Sequence, residues 1–199
     1  TVIRFSAAVA RIVTVGALLA FTGSAPGQQA YPNKPIRFIV PFPPGGSTSA
    51  VARLISQKLA DSLGQQVIID NRGGANTIIG TEAMVKSPPD GYTILLASAA
   101  FVTIPHLLPL PYDTIKDFAP IATLASGEII LVVHPSVPVN NLQEFIALAK
   151  SKPGQLNYAA AGTGGAIHLA SESFNIRAGV KLQHIPYKGS GPAITDLLG

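Results

Sequence analysis

Short apolar runs bounded by proline and glycine alternate along this chain with stretches whose apolar positions repeat at helical spacing. Ile36-Arg-Phe-Ile-Val40, stopped by Pro41, predicts a buried strand. Val51, Leu54, Ile55, Leu59 and Leu63 then fall on one helix face, with Ser47 or Thr48 placed to cap its start and Gly64 to end it. Residues 67–70 predict a second strand, 77–86 a shorter helix, Pro88-Pro-Asp-Gly91 a turn and 93–97 a third strand. The stretch up to Pro111 is poorly patterned and reads as weakly helical. Residues 119–134 are strand-like, interrupted at Gly127, and the chain is expected to cross there into a second domain. Asn141-x-x-Glu144 resembles a capping box opening a helix over 142–151, which Pro153-Gly154 stops. A strand over 156–160 leads into the loop Ala161-Gly-Thr-Gly-Gly165. The next helix carries Ile167, Ala170, Phe174 and Ala178 on one face, followed by a strand over 182–187 and a final helix with Pro192 in its first turn. This alternation predicts an α/β protein with parallel sheets covered by helices.

Composition narrows the class. Of 199 residues, 47% are hydrophobic and 12% charged, which excludes a disordered chain and allows one large domain or two small ones. The formal charge is +4, but Arg4 and Arg11 stand in an N-terminal stretch without acids. Setting them aside leaves twelve basic against ten acidic residues and no basic cluster, so no nucleic-acid partner is expected. The two arginines precede ten residues, 12–21, of apolar character and then small and polar residues to Ala30. That order predicts a secretory signal peptide over 1–30, cut between Ala25 and Ala30, and the apolar run is too short to span a bilayer. With no cysteine there is no disulfide, thiol nucleophile, Cys-ligated zinc or lipid-modified N-terminal Cys. The expected location is periplasmic, without a lipid anchor.

Candidate chemistry concentrates in two loops, Pro43-Pro-Gly-Gly-Ser-Thr-Ser49 and Ala161-Gly-Thr-Gly-Gly165. Each follows the carboxyl end of a strand and opens a helix, where ligands bind in open α/β sheets. The first amides of a helix lack partners and carry its positive dipole end, glycine allows close approach, and Ser or Thr adds hydroxyls. Two such ends facing each other would clamp an anion without arginine. The first loop lacks the Gly-Lys-Ser/Thr of a P-loop, and Ile167 stands where a dinucleotide fingerprint needs its third glycine, so no nucleotide cofactor is expected. Gly45-Gly-Ser47-Thr-Ser49 lacks the second glycine of a nucleophile elbow. His168 and Glu172 share a helix face at i, i+4, which reads as a salt-bridged or solvated pair, because no second pair with metal spacing accompanies them. Neither catalytic nor metal-binding residues are assigned.

Seven blocks in order carry a resemblance: Tyr31-Pro-x-Lys-Pro-Ile36, Val40-Pro-Phe-Pro-Pro-Gly-Gly46, Asp70-Asn-Arg72, Pro89-Asp-Gly-Tyr92, Asp117-Phe-Ala-Pro120, Leu156-Asn-Tyr-Ala159, and Pro186-Tyr-Lys-Gly189 through Asp196-Leu-Leu-Gly199. From Tyr31 to Gly199 the chain resembles the Bug-type substrate-binding proteins of tripartite tricarboxylate transporters. The resemblance implies a two-domain periplasmic-binding-protein (Venus-flytrap) fold with parallel-rich sheets, domain 1 over 31–125 and domain 2 over 126–199. Because family members continue beyond the position of Gly199, it also implies an incomplete second domain and an incomplete return to the first. It implies a receptor that binds a small organic acid and delivers it to membrane permease subunits. The loops carried over are Phe42, Pro44, Gly45, Gly46, Ser47, Thr48 and Ser49, and Ala161, Gly162, Thr163, Gly164 and Gly165, with Ser98 as a secondary candidate. Family members often have a third glycine and then an acidic or amide residue where Ser47 and Ser49 stand, which bears on specificity. A secreted α/β-hydrolase-like enzyme is the alternative class.

Overall fold

The computed structural model describes residues 30–199, so the leader expected over 1–30 lies, save for Ala30, outside the described residues. The chain divides after Asn33, and both sheets belong to the unit Lys34–Gly199. The first sheet has three parallel strands, β1 (Ile36–Val40), β2 (Val67–Asn71) and β3 (Thr93–Leu95), in the order β2-β1-β3. Ile36 pairs with Val67, and Arg37 with both Ile68 and Thr93. The central strand is the most apolar, as a strand covered on both faces must be: Ile36, Phe38, Ile39 and Val40 are all buried. Its one charge, Arg37, donates through Nη2 to Asp70 Oδ2 at 2.5 Å, and Arg72 Nε donates to the same oxygen at 2.8 Å. Burial alone would raise the Asp70 pKa, but the two guanidiniums outweigh it and hold the carboxyl below its usual range.

Helix α1 (Ser47–Leu63) connects β1 to β2 and ends at Gly64, whose φ of 65° and N–H to Ala60 O at 3.0 Å close the helix as expected. Its packing face differs from the expected one. The buried row is Ser49, Ala52 and Ser56, with Ile55 packed at its edge, whereas Leu54 is 68% exposed and Leu63 is also exposed. Small residues let the helix axis come close to the sheet, and the bulkier apolar side chains flank the contact. Helix α2 (Ile78–Val85) follows β2 through a tight turn over Ala75–Thr77, and the weakly patterned stretch folds as the short helix α3 (Ala100–Thr103) with a 3-10 turn at Ile104–His106.

The second sheet pairs two parallel strands, β4 (Asn157–Ala161) and β5 (Gln183–Tyr187), in the register Asn157 to Gln183. Helix α4 (Leu142–Ser151) precedes it, α5 (Ala166–Ala178) links its strands, and α6 (Ser190–Leu198) comes after β5. Phe145, Ala149 and Leu182 form its core with Leu156, Tyr158 and Phe174 packed around them. The capping box holds: Asn141 Oδ1 accepts from Glu144 N–H at 2.9 Å. Its return arm lands one residue early, with Glu144 Oε2 accepting from Asn140 N–H at 2.8 Å. On α5 the inward side runs through His168, Glu172 and the buried Asn175, and Ile167 is exposed instead of joining Phe174. Asn175 exchanges hydrogen bonds with the Leu182 backbone, accepting at 3.2 Å and donating at 3.4 Å, and so staples the helix end to the entry of β5.

Residues 119–134 form no strand. Ile121 is 83% exposed and Ile130 75%, and Ile129, Leu131 and Val132 are exposed as well. An apolar run becomes a strand only beside a hydrogen-bonding neighbour, and among the described residues neither sheet extends to it. None of the described helices is long and apolar enough to cross a membrane.

Candidate functional site

The first loop runs from Pro41 to Gly46 between β1 and α1. Gly45 adopts a φ of 95°, and Gly46, extended at φ −86° and ψ 174°, occupies the N-cap. Ser47 and Thr48 therefore lie within the first helical turn and cap nothing, contrary to expectation. A glycine cap supplies no acceptor and the first turn holds no acid, so the leading amides of α1 keep their hydrogen-bonding capacity. Ser49 turns inward: its hydroxyl donates to Pro43 O at 3.3 Å and accepts from Asn71 Nδ2 at 3.2 Å. Asn71 also donates to Phe42 O at 2.9 Å, while the Phe42 ring packs on the core. Ser49 and Phe42 thus brace the loop from behind, leaving Pro44 and Gly45 exposed.

The second loop repeats the plan. Ala161 is the last residue of β4 rather than the first of the loop, Gly162 and Gly164 have φ of 80° and 82°, and Gly165 is the extended N-cap of α5. Again there is no side-chain cap and no acid in the first turn. Gly164 N–H donates to His168 Nδ1 at 3.2 Å, and Thr103 Oγ1 donates to Gly164 O at 2.6 Å. Asn76 Nδ2 donates to Thr163 O. The φ of 82° favours glycine at position 164, and a Cβ there would displace the tip of the exposed Leu107 side chain.

Behind that loop lies a cluster of rings. His168 and His184 have centroids 4.3 Å apart, and His184 stacks on Tyr158 at 5.1 Å. His168 and Glu172 do not form the expected surface pair. Glu172 accepts from the Tyr158 hydroxyl at 2.6 Å, which holds its carboxyl below the usual range, while burial first and this bond second push the phenol upward. His184 Nε2 is buried without a partner, and burial, reinforced by the neighbouring His168, lowers the ring's pKa. Among the described residues no group of three or more His, Asp or Glu side chains is arranged to hold a metal.

The two loops meet different neighbours. Against the first stands the start of α6: a Cβ on Gly46 would lie 2.9 Å from Ser190 Oγ, and one on Gly191 3.4 Å from the Gly45 carbonyl carbon. An open cavity of about 720 Å³ lies there, lined by Pro44, Gly45, Tyr187, Pro192 and Asp196 among others, with the Tyr187 hydroxyl bonded to Asp196. No residue of the second loop lines it. Gly189-Ser-Gly-Pro192 was not among the expected site residues, although it shows the same signal as the chosen loops, small residues between a strand end and a helix start. The second loop instead meets the turn at Ala75–Thr77 and α3. Ser98 stands just ahead of α3, its carbonyl accepting from Phe101 N–H at 2.9 Å.

Comparison with known proteins gives this arrangement a family. Residues 51–199 match the model of the tripartite tricarboxylate transporter family receptor. The chain belongs to that family. Protein BugT of Bordetella pertussis is 42% identical over 193 residues, which cover 94% of this chain and 59% of BugT. Two proteins of solved structure, R. palustris Rpa4515 and MatC from Rhodopseudomonas palustris, superpose over 84% of this chain. Rpa4515 with adipate does so at a TM-score of 0.76 and 32% identity, and MatC with bound malate at 0.75 and 31%. This chain spans 56% and 57% of those two. The periplasmic binding protein BugD likewise superposes over 84% of this chain, at a TM-score of 0.74 and 38% identity, and the fold is that of a periplasmic binding protein with parallel sheets. In this receptor family the chain supplies three strand–loop–helix units of one pattern, at α1, α5 and α6.

Proposed function

We propose that this chain acts as an extracytoplasmic solute receptor, and not as an enzyme, binding a small organic acid and delivering it to the membrane subunits of a tripartite transporter. The carrying observation is that α1 and α5 both begin at a glycine N-cap, at the carboxyl end of a parallel strand, with neither a side-chain cap nor a first-turn acid. Two relatives named with adipate and malate support a carboxylate as the ligand. Residues 31–125 and 126–199 are the two domains in this reading, and the leader exports the chain to the periplasm.

Magnitudes say how the clamp must work. A helix dipole contributes about 0.3–1 kcal/mol when exposed and up to about 2 when partly buried. Micromolar binding needs about 8 kcal/mol. Hydrogen bonds from loop amides to a charged acceptor, about 1.5–3 kcal/mol each, supply the remainder once water is excluded. Calorimetric titration with mono-, di- and tricarboxylates beside their amides tests this. Acids are expected to bind and amides to fail, and equal binding of both would remove the carboxylate clamp.

A further inference from the structure

Ala75, Asn76 and Thr77 have φ of 43°, 57° and 76°, immediately after Gly74 at 129°. Three successive non-glycine residues in the left-handed region are unfavourable, above all at a β-branched threonine, and such backbone persists only where its surroundings hold it. Thr77 is buried, and its carbonyl accepts from Thr81 Oγ1 at 2.9 Å. Asn76, half-buried at the middle of the turn, lands on the second glycine loop. Its Nδ2 donates to Thr163 O, and its Oδ1 fills the space a Cβ on Gly162 would need. One residue further along the loop, Thr103 of α3 donates to Gly164 O at 2.6 Å, its shortest contact, ahead of the Ala99 and Ala100 carbonyls at 3.2 and 3.4 Å.

The effect on the loop comes from peptide geometry. In a trans peptide the carbonyl and the following N–H point in opposite directions. Drawing Thr163 O to Asn76 turns Gly164 N–H the other way, where it meets His168 Nδ1. Drawing Gly164 O to Thr103 likewise turns the amide of Gly165, the N-cap of α5, away from α3. Both carbonyls also accept from neutral donors, which offsets part of the repulsion their oxygens would exert on an incoming anion.

We propose that Asn76 and Thr103 are positioning residues that reach from the loops of the first sheet to the second glycine loop, hold its Thr163 and Gly164 carbonyls, and so fix the loop that presents the Gly165 amide and the start of α5 to ligand, the Gly164 amide being kept by His168. The assignment deepens the carboxylate-receptor reading and rests on it for the ligand, but the loop geometry can be read without one. The test uses Asn76→Gly, which removes the side chain and eases the positive φ, with Thr103→Val and the conservative Thr103→Ser. Amide hydrogen exchange over 162–167 is measured without ligand, beside the melting temperature. Asn76→Gly is expected to melt no lower than the parent and yet to exchange about tenfold faster in this loop, the factor set by one lost hydrogen bond of about 1.4 kcal/mol. Thr103→Val should do the same at the Gly164 amide, which His168 protects, and Thr103→Ser should restore the parent rate. Titration with adipate and malate should show about a tenfold loss of affinity in Asn76→Gly and Thr103→Val. Unchanged loop exchange in both variants overturns the proposal, as does faster exchange spread evenly over the chain with a lower melting temperature. Faster loop exchange in the variants of a parent chain that binds no member of the carboxylate panel supports the positioning role and removes the carboxylate reading instead.

Discussion

Tyr158, His168, Glu172 and His184 stand one layer behind the second glycine loop, and their ionisation is tied to its stability. His184 faces Tyr158 from its neighbouring strand and His168 and Glu172 from α5. Burial and the His168 ring disfavour its cation, and Glu172 offsets them only in part, so its pKa falls below the ordinary 6.5. The unfolded chain therefore binds a proton that the folded chain resists, and stability is lost as the pH falls below about 6.5. Glu172 adds a second loss at lower pH, because its depressed carboxyl stabilises the fold only while ionised. The melting temperature should drop between about pH 7 and about pH 5.5, across the range where an ordinary histidine titrates, and His184→Phe, which keeps a ring in the stack, should flatten that part of the curve. An unchanged slope would refute the role given to His184. None of this was legible in the sequence, where His168 and Glu172 showed only helical spacing. Their partners, Tyr158 and His184, come from two strands that meet only in the folded sheet.

The helices divide by how they begin. Among the described residues α4 alone has a side-chain cap, with Asn141 and Glu144 exchanging hydrogen bonds, whereas α1, α5 and α6 start at glycines. Asn141→Ala should lower stability by about 1 kcal/mol, as loss of a cap does, and leave carboxylate affinity alone. The converse substitution is Thr48→Asp in the first turn of α1. An acid there complements the dipole and should raise stability by about 0.3–1 kcal/mol. It also puts a negative charge on amides reserved for an anion, so carboxylate binding should weaken at least about tenfold, the equivalent of 1.4 kcal/mol. Melting curves and titration of the same variant separate the two effects, and a Thr48→Asp chain that binds acids as well as the parent would sink the clamp at α1. Element order and the capping box could be read from the sequence because they rest on local signals, proline, glycine and short spacings. The rotation of α1 onto Ser49, Ala52 and Ser56 could not, since hydrophobic spacing favours Leu54 over the small residues that close packing selects.

At the scale of the whole molecule, family and fold were legible because seven blocks spread from Tyr31 to Gly199 record them together, and the match to the receptor family covers 51–199. Legibility ended between the sheets, at 119–134, where an interrupted apolar run gave a strand signal and the structure shows an exposed, unpaired segment. Strand formation is a property of a pair, and a single run cannot declare its partner. The consequence is measurable. Backbone amides over 121–133 lack a ladder, so they should exchange with solvent far faster than those of β1, which lies between two strands and is buried except at Arg37. The same segment exposes isoleucine, leucine and valine side chains in succession, a composition that favours association between chains. Ile121→Thr together with Ile130→Lys should therefore reduce concentration-dependent aggregation in light scattering without lowering the melting temperature, because neither side chain is buried. Slow exchange across 121–133, or a melting temperature that falls with the double substitution, would show that these residues are covered in solution and pair as their apolar pattern indicates.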